Sequence, residues 1–405
     1  MDLPTSKEDW EEAALAAGIR HLTIHDLELD SASKFRYEQY LLLRVLRISH
    51  DRSKFDAARF GLADLEKTAK EAMDNYKYWK HYCRSFQLNM HDKEAIPHLG
   101  TFSLVRYYQL QVTKVRQDDD VDSDVIVSPI AHRTRLGLQK KEMKAEQQQE
   151  QLRLQMQELV LQTPTKQAGE NRLSPNAASD SEESVAMEPP SLPATPISKA
   201  ERILYAPAKD EQIVNAALLL LLNAITIHFP LSNDWTLHRR AFNVQFKTAS
   251  FQARTDGYLE DKTSGKVRAL IEVKPCVRTR SQVRIQMQEA AQMVAWISDD
   301  KQRPSQFPGR HLHISQDRHE IFLTFAEYGK SYLSYIKEGL SPADPEPFLT
   351  LHEFGPWDTT NAGHMQELGP IILAFTMRAH QDQRLESRLS AGQGRPGEQK
   401  KGFLT

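Results

Sequence analysis

The carboxyl-terminal half of the chain switches between hydrophobic patterns typical of strands and patterns typical of helices. Residues 213–227 (IVNAALLLLLNAITI) are apolar on almost every side, which predicts a buried helix. Residues 240–247 alternate, with Phe242, Val244 and Phe246 on one side, as in a strand with one buried face. The same two periodicities predict strands at 251–259, 267–274, 311–315 and 320–325, and helices at 281–298 and 365–377.

The order of these elements predicts the fold class. Sequential strands joined by a short polar turn, such as residues 260–266, pair antiparallel. The helix after the third strand then returns the chain to the sheet. We therefore expect an α/β domain at residues 203–380, in which a mixed central sheet is flanked by helices.

The remaining segments differ from this domain in their patterns. Residues 1–116 carry apolar side chains three and four positions apart, which predicts an added helical amino-terminal region. Residues 117–202 open with an acidic run and are rich in Gln, Glu, Ser and Pro, a composition that predicts a disordered linker. Residues 381–405 are polar and predict a disordered tail.

Composition narrows the class of protein. The 405 residues have a formal net charge of −2, so the global charge does not favour nucleic acid or a membrane surface. The two cysteines, Cys83 and Cys276, make neither a metal-binding pattern nor a disulfide framework, which fits a reducing compartment. The longest apolar run, residues 216–222, is far shorter than the ~20 residues of a membrane span. We expect an intracellular protein without membrane association.

Three charged residues lie around the predicted turn at 260–266. Asp256 precedes the turn, and Glu272 and Lys274 follow it in an otherwise apolar strand. Side chains two apart in a strand leave the same face, and Asp256 comes opposite Glu272 if the register is right. Two converging carboxylates repel each other unless a cation lies between them, and oxygen ligands without His or Cys suit Mg²⁺ or Mn²⁺.

Such an ion would polarise a phosphodiester and activate a water molecule. Lys274 would then orient that water or stabilise charge on the phosphate, and the Val273 carbonyl is a further candidate ligand. The spacing of the three charged residues also fits a surface hairpin with a salt bridge. The residues alone leave that alternative open.

The neighbouring helices offer supporting residues. Glu211 lies in the first turn of the buried helix and is a candidate third carboxylate. Arg284, Gln288 and Gln292 are four residues apart and share one helix face, where a glutamine can bind substrate or a metal-bound water. An ordinary exposed polar face has the same spacing, so both interpretations stay open.

A local basic segment lies beside these residues. Between residues 265 and 288 there are six lysines and arginines and one acid, Glu272. We expect Arg278, Arg280 and Arg284 in this segment to contact the phosphate backbone of a nucleic acid. A solvated basic loop is the alternative.

These motifs resemble those of a known superfamily. Asp256 with Gly257, residues 271–275 (IEVKP) and the helix IQMQEAAQMVAWI are similar to the PD-(D/E)XK nucleases, and more closely to the fungal nuclease-like proteins among them. The resemblance covers roughly residues 206–380 and includes GPWD at 355–358. The chain departs from the motif's name at Thr255, which stands where a proline is expected.

The resemblance implies a restriction-endonuclease-like core and Mg²⁺-dependent hydrolysis of phosphodiester bonds. Asp256 and Glu272 match the metal-binding acids and Lys274 the catalytic lysine, while Gln288 matches the helix glutamine and Glu211 the acid of the first helix. We therefore expect a nuclease that acts on nucleic acid, foremost DNA, in the nucleus. The alternative is a catalytically silent module of the same fold that binds nucleic acid or protein.

Overall fold

A seven-stranded mixed sheet forms the centre of the chain. The computed structural model describes residues 2–87, 96–114, 208, 210–299, 311–340 and 347–392. The predicted linker at 117–202 lies outside these ranges. The strands are β1 (Val45–His50), β2 (Asn233–Thr236), β3 (Ala241–Gln245), β4 (Ser250–Arg254), β5 (Gly257–Asp261), β6 (Val267–Lys274), β7 (Leu312–Asp317), β8 (Glu320–Tyr328) and β9 (Leu349–Asp358).

The sheet has the strand order β1-β9-β8-β7-β6-β5-β2. The pairs β1–β9 and β6–β7 are parallel, and the other neighbours are antiparallel. Among the described strands, β3 and β4 pair only with each other, and we call this two-stranded element the ribbon. The described architecture is therefore mixed α/β, as the pattern predicted.

Helices cover both faces of the sheet. They are α1 (Lys7–Ala16), α2 (Tyr37–Leu42), α3 (Ala63–Asn75), α4 (Lys77–Arg84), α5 (Phe102–Thr113), α6 (Glu211–Thr226), α7 (Gln282–Asp299), α8 (Lys330–Glu338) and α9 (Ala362–Gly392). The Asp210 side chain caps α6 by accepting the Gln212 amide at 2.8 Å, which fixes where this helix begins. Within the described part of the chain, no helix has the length and apolarity that crossing a membrane requires.

Two hydrophobic cores lie on opposite faces of the sheet because side chains alternate along each strand. Ile271 and Val273 of β6 join one core with α3, α6 and α9, and Leu270 joins the other with α7, α8 and the ribbon. Glu272 lies in phase with Leu270 and therefore faces α7. Burial of each large apolar side chain stabilises this arrangement by roughly 1.5–3 kcal/mol.

The amino-terminal region is not wholly helical, which corrects the prediction for residues 1–116. Arg44 adopts a left-handed backbone conformation (φ 51°) after α2, and the chain then enters β1. β1 pairs in parallel with β9, from Val45 opposite Leu349 to His50 opposite Phe354. Local periodicity missed this strand because its partner lies some 300 residues away in sequence.

The predicted tail also begins too early. Helix α9 continues to Gly392 rather than ending near residue 380, and the rest of the tail lies outside the described residues. Glu386, in this extension, accepts hydrogen bonds from Arg268 at 2.8 and 3.0 Å and from Lys266 at 3.2 Å. These tertiary ion pairs hold a segment that looks too polar to fold by itself.

Candidate functional site

Asp256 lies where the chain leaves the ribbon and enters the main sheet. The sequence predicted one strand over residues 251–259, but the structure has two, β4 and β5, with a break at Thr255 and Asp256. The Thr255 amide still donates to Arg240 next to β3 (3.1 Å), whereas the Asp256 amide donates to Ile271 of β6 (3.0 Å). This change of partner places the Asp256 side chain beside β6, where its Oδ2 accepts the Val273 amide at 3.1 Å.

Gly257 permits this junction. A β-carbon at this position would lie 2.5 Å from the carbonyl oxygen of Thr236 in β2 and 3.3 Å from Ile271. The close approach at Gly257 is therefore made by the backbone of β2. It keeps Asp256 close to the end of β6.

Glu272 and Lys274 leave β6 on the same face, as predicted. The Lys274 Nζ donates to Glu272 Oε1 at 2.5 Å. Glu272 is only 3% exposed, while the Lys274 side chain keeps 19% of its surface accessible. The pair is therefore buried at Glu272 and reachable from solvent at the lysine, whereas both partners of a surface salt bridge would be exposed.

Helix α7 holds the Glu272 carboxylate from the other side. Gln288 donates to Glu272 Oε1 at 2.5 Å, and Gln292 donates to Oε2 at 2.6 Å. Gln292 is fully buried, donates also to the Arg254 carbonyl (2.7 Å), and lies 2.9 Å from His313 Nε2. The glutamines are thus part of the site, not an exposed polar face, and Gln292 is bound more tightly than the predicted Gln288.

Helix α6 adds two residues on one helical face. Glu211 lies close enough to Lys274 and Asp256 to interact with both charges, and burial raises its pKa. Asn215, one turn further along, donates to the Asp256 carbonyl at 3.3 Å. The Oδ1 atom of Asn215 is buried and has no hydrogen-bond partner among the described residues. Sequence reasoning found Glu211 but missed Asn215, which has the i, i+4 spacing from Glu211.

These residues form an acid-rich group that we call the carboxylate site: Glu211, Asp256, Glu272 and Lys274. Burial and then the Asp256 charge raise the pKa of Glu272 to about 8. Burial lowers the pKa of Lys274, but Glu272, Glu211 and Asp256 outweigh it and raise that pKa overall. Three carboxylates share one buried ammonium, so the site holds excess negative charge or an extra proton.

Arg239 completes the rim, and the sequence analysis missed it. Its guanidinium lies 3.4 Å from Asp256 Oδ1, and its side chain is 28% exposed. Arg239 belongs to residues 237–255, which contain three arginines and one lysine but no Asp or Glu. A run of basic residues without acids next to Asp256 could have predicted a cation beside the site.

The structure buries Arg278, one of the three arginines that were predicted to contact nucleic acid, among carboxylates. Arg278 is 3% exposed and donates to Asp317 (2.6 Å), Glu289 (2.5 Å) and Glu353. Arg47 of β1 donates to Glu289 and Glu353 as well. We call these five residues the arginine cluster. Its carboxylates come from α7, β7 and β9, so local sequence could not reveal that Arg278 is neutralised.

The other predicted cations divide into two kinds. Arg280 and Arg284 are exposed at the start of α7, as phosphate contacts would need to be. Arg268 is buried and paired with Asp261 (3.3 Å) as well as Glu386. The basic segment of the sequence is therefore largely neutralised by tertiary contacts.

The donor set fits a divalent cation only in part. Within the described residues, no group of three or more His, Cys, Asp and Glu side chains is placed to hold a metal ion. Asp256 and Glu272 supply two carboxylates, and the unpartnered oxygen of Asn215 adds a buried acceptor. Two carboxylates with waters and substrate oxygens are a usual Mg²⁺ arrangement.

No protein-family model matches the chain, and no curated protein matches it.

Proposed function

We propose that the protein is a metal-dependent nuclease of the PD-(D/E)XK type that hydrolyses phosphodiester bonds, foremost in DNA. The observation that carries this proposal is the meeting of Asp256, Glu272 and Lys274 at the end of β6, with the pKa of Glu272 raised to about 8. Strongly shifted carboxylates in a partly open site are typical of functional sites. A restriction-endonuclease-like core belongs to the same proposal.

Asp256 and Glu272 would hold Mg²⁺ or Mn²⁺, with Glu211 and the Val273 carbonyl as further candidate ligands. When bound, such an ion polarises a phosphate and lowers the pKa of a water molecule. Asp256 is oriented for this by the Val273 amide, and Glu272 is oriented by Gln288 and Gln292.

Lys274 stays protonated over the working pH range because three carboxylates raise its pKa. Its ammonium can therefore donate to a phosphate oxygen or orient the attacking water, without having to take up a proton. Arg239 is available at the rim as a second cation for the phosphate, since its present partner Asp256 is the proposed metal ligand.

The test is cleavage of labelled DNA and RNA in Mg²⁺ or Mn²⁺. We expect Asp256→Asn and Lys274→Ala each to lower the rate by roughly 100-fold or more while the protein stays folded. The matched control is Lys262→Ala, which removes a lysine whose side chain is 49% exposed. If the wild-type protein cuts no single-stranded, duplex or branched substrate with either metal, the proposal fails.

One observation favours a catalytically silent module instead. Both oxygens of Glu272 already accept hydrogen bonds, from Lys274, Gln288 and Gln292. A carboxylate saturated in this way can serve as a structural anchor for α7. Calorimetry with Mn²⁺ separates the two functions, because a silent module shows no heat of binding that Asp256→Asn abolishes.

A further inference from the structure

The ribbon presents one polar face to solvent. Its inward face carries Phe242, Val244, Phe251 and Ala253, which are buried in the core that includes α7. The outward face carries Ala241, Asn243, Gln245, Ser250, Gln252 and Arg254. Five of these six outward side chains are exposed and Gln252 is half-buried, so this face is open to solvent in the described part of the chain.

Hydrogen bonds order the outward face across the two strands. Arg254 Nε donates to Gln252 Oε1 at 2.8 Å, and Gln252 Nε2 donates to Asn243 Oδ1 at 2.7 Å. Asn243 lies directly opposite Gln252 in the register. The row is thus preordered, which lowers the entropy cost of presenting these groups to a ligand.

The charge of this region is positive throughout. Residues 237–255 include Arg239, Arg240, Lys247 and Arg254 and no acid. The acids that pair with them come from outside the segment: Asp256 lies 3.4 Å from Arg239, and Asp299 lies 3.7 Å from Arg240. Both of these pairs are partly exposed, so water and salt weaken them and a phosphate can compete for the arginines.

The ribbon is continuous with the carboxylate site. Arg254 is followed by Thr255 and Asp256, and its carbonyl accepts the hydrogen bond from Gln292 that also fixes Glu272. Arg254 on the ribbon and Asp256 in the carboxylate site are only two residues apart, so a polymer that lies along the ribbon also reaches the site. The ligand of the ribbon should therefore also be a substrate for the proposed hydrolysis of phosphodiester bonds.

We propose that the outward face of the ribbon binds double-stranded DNA, with Arg254 on a phosphate and the amides of Asn243 and Gln252 toward base edges. This inference rests on the proposed nuclease function and names the substrate class. A two-stranded ribbon fits the major groove of B-form DNA, where Asn and Gln hydrogen-bond to bases. The deep, narrow major groove of A-form RNA excludes it.

The same face argues against single strands. Binding of single-stranded nucleic acid relies on exposed aromatic rings on which bases stack. The three phenylalanines of this segment, Phe242, Phe246 and Phe251, are all buried. The outward face offers hydrogen-bond donors, acceptors and positive charge instead.

The first experiment measures binding without cleavage. A short fluorescein-labelled DNA duplex is titrated with protein in EDTA, and anisotropy is recorded over a range of salt concentrations. We expect Arg254→Ala to weaken binding roughly three- to tenfold and to reduce the slope of log K against log salt by about one. The matched control is Lys67→Ala, an exposed lysine on α3 at the other face of the sheet, which leaves both quantities unchanged.

A second variant keeps the inference falsifiable if Arg254→Ala perturbs the fold. Asn243→Ala combined with Gln252→Ala changes only outward side chains, so thermal unfolding should match the wild type. We expect it to keep the salt slope and to reduce discrimination among duplexes of different sequence. If this variant and the wild type discriminate equally among duplex sequences, the amides do not contact base edges and the inference is wrong.

Cleavage in Mg²⁺ is read separately from binding. Duplex binding that Arg254→Ala weakens, without any cleavage by the wild type, supports the ribbon and rejects the nuclease. Cleavage with duplex affinity that is unchanged in Arg254→Ala supports the nuclease and overturns the ribbon inference. Failure of the wild type to bind duplex DNA, or stronger binding to single strands or duplex RNA, also overturns it.

Discussion

Two buried groups of charges lie beneath helix α7, and the pKa values of their glutamates shift in opposite directions. In the arginine cluster, Arg278 and Arg47 overcome burial and lower the pKa of Glu289 and of Glu353. In the carboxylate site, burial and Asp256 raise the pKa of Glu272 to about 8. Buried glutamates are therefore held as anions in the arginine cluster, whereas Glu272 in the carboxylate site retains a proton at neutral pH.

The ratio of charges explains the difference. The arginine cluster sets two guanidinium groups, each with several donors, against three carboxylates. Its least satisfied acid is Asp317, whose Oδ1 has no partner among the described residues and whose pKa burial raises to about 6. The carboxylate site has one largely buried ammonium for three carboxylates, and Arg239 lies beside it at the rim. Buried charge by itself does not mark a functional site, and the strongly shifted pKa of Glu272 beside a partly accessible lysine makes the carboxylate site the better candidate.

Removal of Arg278 should have the largest effect on stability. Arg278→Met leaves Glu289 and Glu353 with Arg47 as their remaining arginine and takes from Asp317 its arginine partner. Breaking a buried ion network in this way costs ~3–5 kcal/mol of the free energy of unfolding. Urea unfolding measures the loss. The control is Arg284→Ala, an exposed arginine on α7, for which a change within ~0.5 kcal/mol is expected.

A loss below ~1 kcal/mol in Arg278→Met would mean that the arginine cluster does not hold the sheet to α7. The contrast with the carboxylate site would then disappear.

The carboxylate site should reveal itself in the pH dependence of stability. The pKa of Glu272 is raised from 4.5 to about 8, so between these values the folded protein holds a proton that the unfolded chain has lost. Stability is therefore highest at the acidic end of this window and falls as the pH rises toward 8. The slope from this group is up to ~1.4 kcal/mol per pH unit.

Glu272→Gln removes the titrating carboxyl and should therefore remove its contribution to the dependence of stability on pH. Urea unfolding of both proteins in EDTA, from about pH 5 to pH 8.5, gives the difference that isolates Glu272. Parallel curves for the two proteins would show that Glu272 titrates normally and that the site carries no excess charge.

Divalent cations should stabilise the protein more strongly at higher pH. Binding at Asp256 and Glu272 requires Glu272 to lose its proton, so the apparent affinity for Mn²⁺ should rise up to tenfold per pH unit below about pH 8 and then level off. At 100 times the dissociation constant, the gain in stability is ~2.7 kcal/mol. Thermal unfolding with and without Mn²⁺ measures it.

Asp256→Asn should abolish this stabilisation, whereas Asp234→Asn, at a side chain that is 57% exposed, should leave it intact. Equal stabilisation in both variants would place any metal elsewhere.

The two glutamines of α7 that bind Glu272, Gln288 and Gln292, should differ by a smaller amount in what each contributes to stability. Gln292→Ala leaves the Arg254 carbonyl, His313 and one oxygen of Glu272 without a buried partner, at a cost of ~1–3 kcal/mol. Gln288 is only half-buried, so Gln288→Ala should cost less than ~1 kcal/mol. Equal losses in urea unfolding would contradict the idea that Gln292 is the main support of Glu272.

Much of the site follows from local pattern. The apolar run that became α6, the apolar strand carrying Glu272 and Lys274, and the helix carrying Gln288 all lie where the sequence predicted them. The junction at Asp256 does not follow from pattern, because residues 251–259 read as one alternating strand. Its break depends on a change of pairing partner, from β3 to β6, that alternation does not encode.

The sequence by itself determined the mixed α/β class and put two acids and a lysine around one turn, because these properties depend on neighbours within a few residues. The tertiary structure alone decided which charges are accessible. Arg278 meets Glu353, 75 residues away, and Arg47 meets Glu289, 242 residues away, whereas Arg254 lies on the open face of the ribbon. Charge neutralisation depends on contacts across the fold, so composition along the chain cannot separate a buried ion pair from a binding surface.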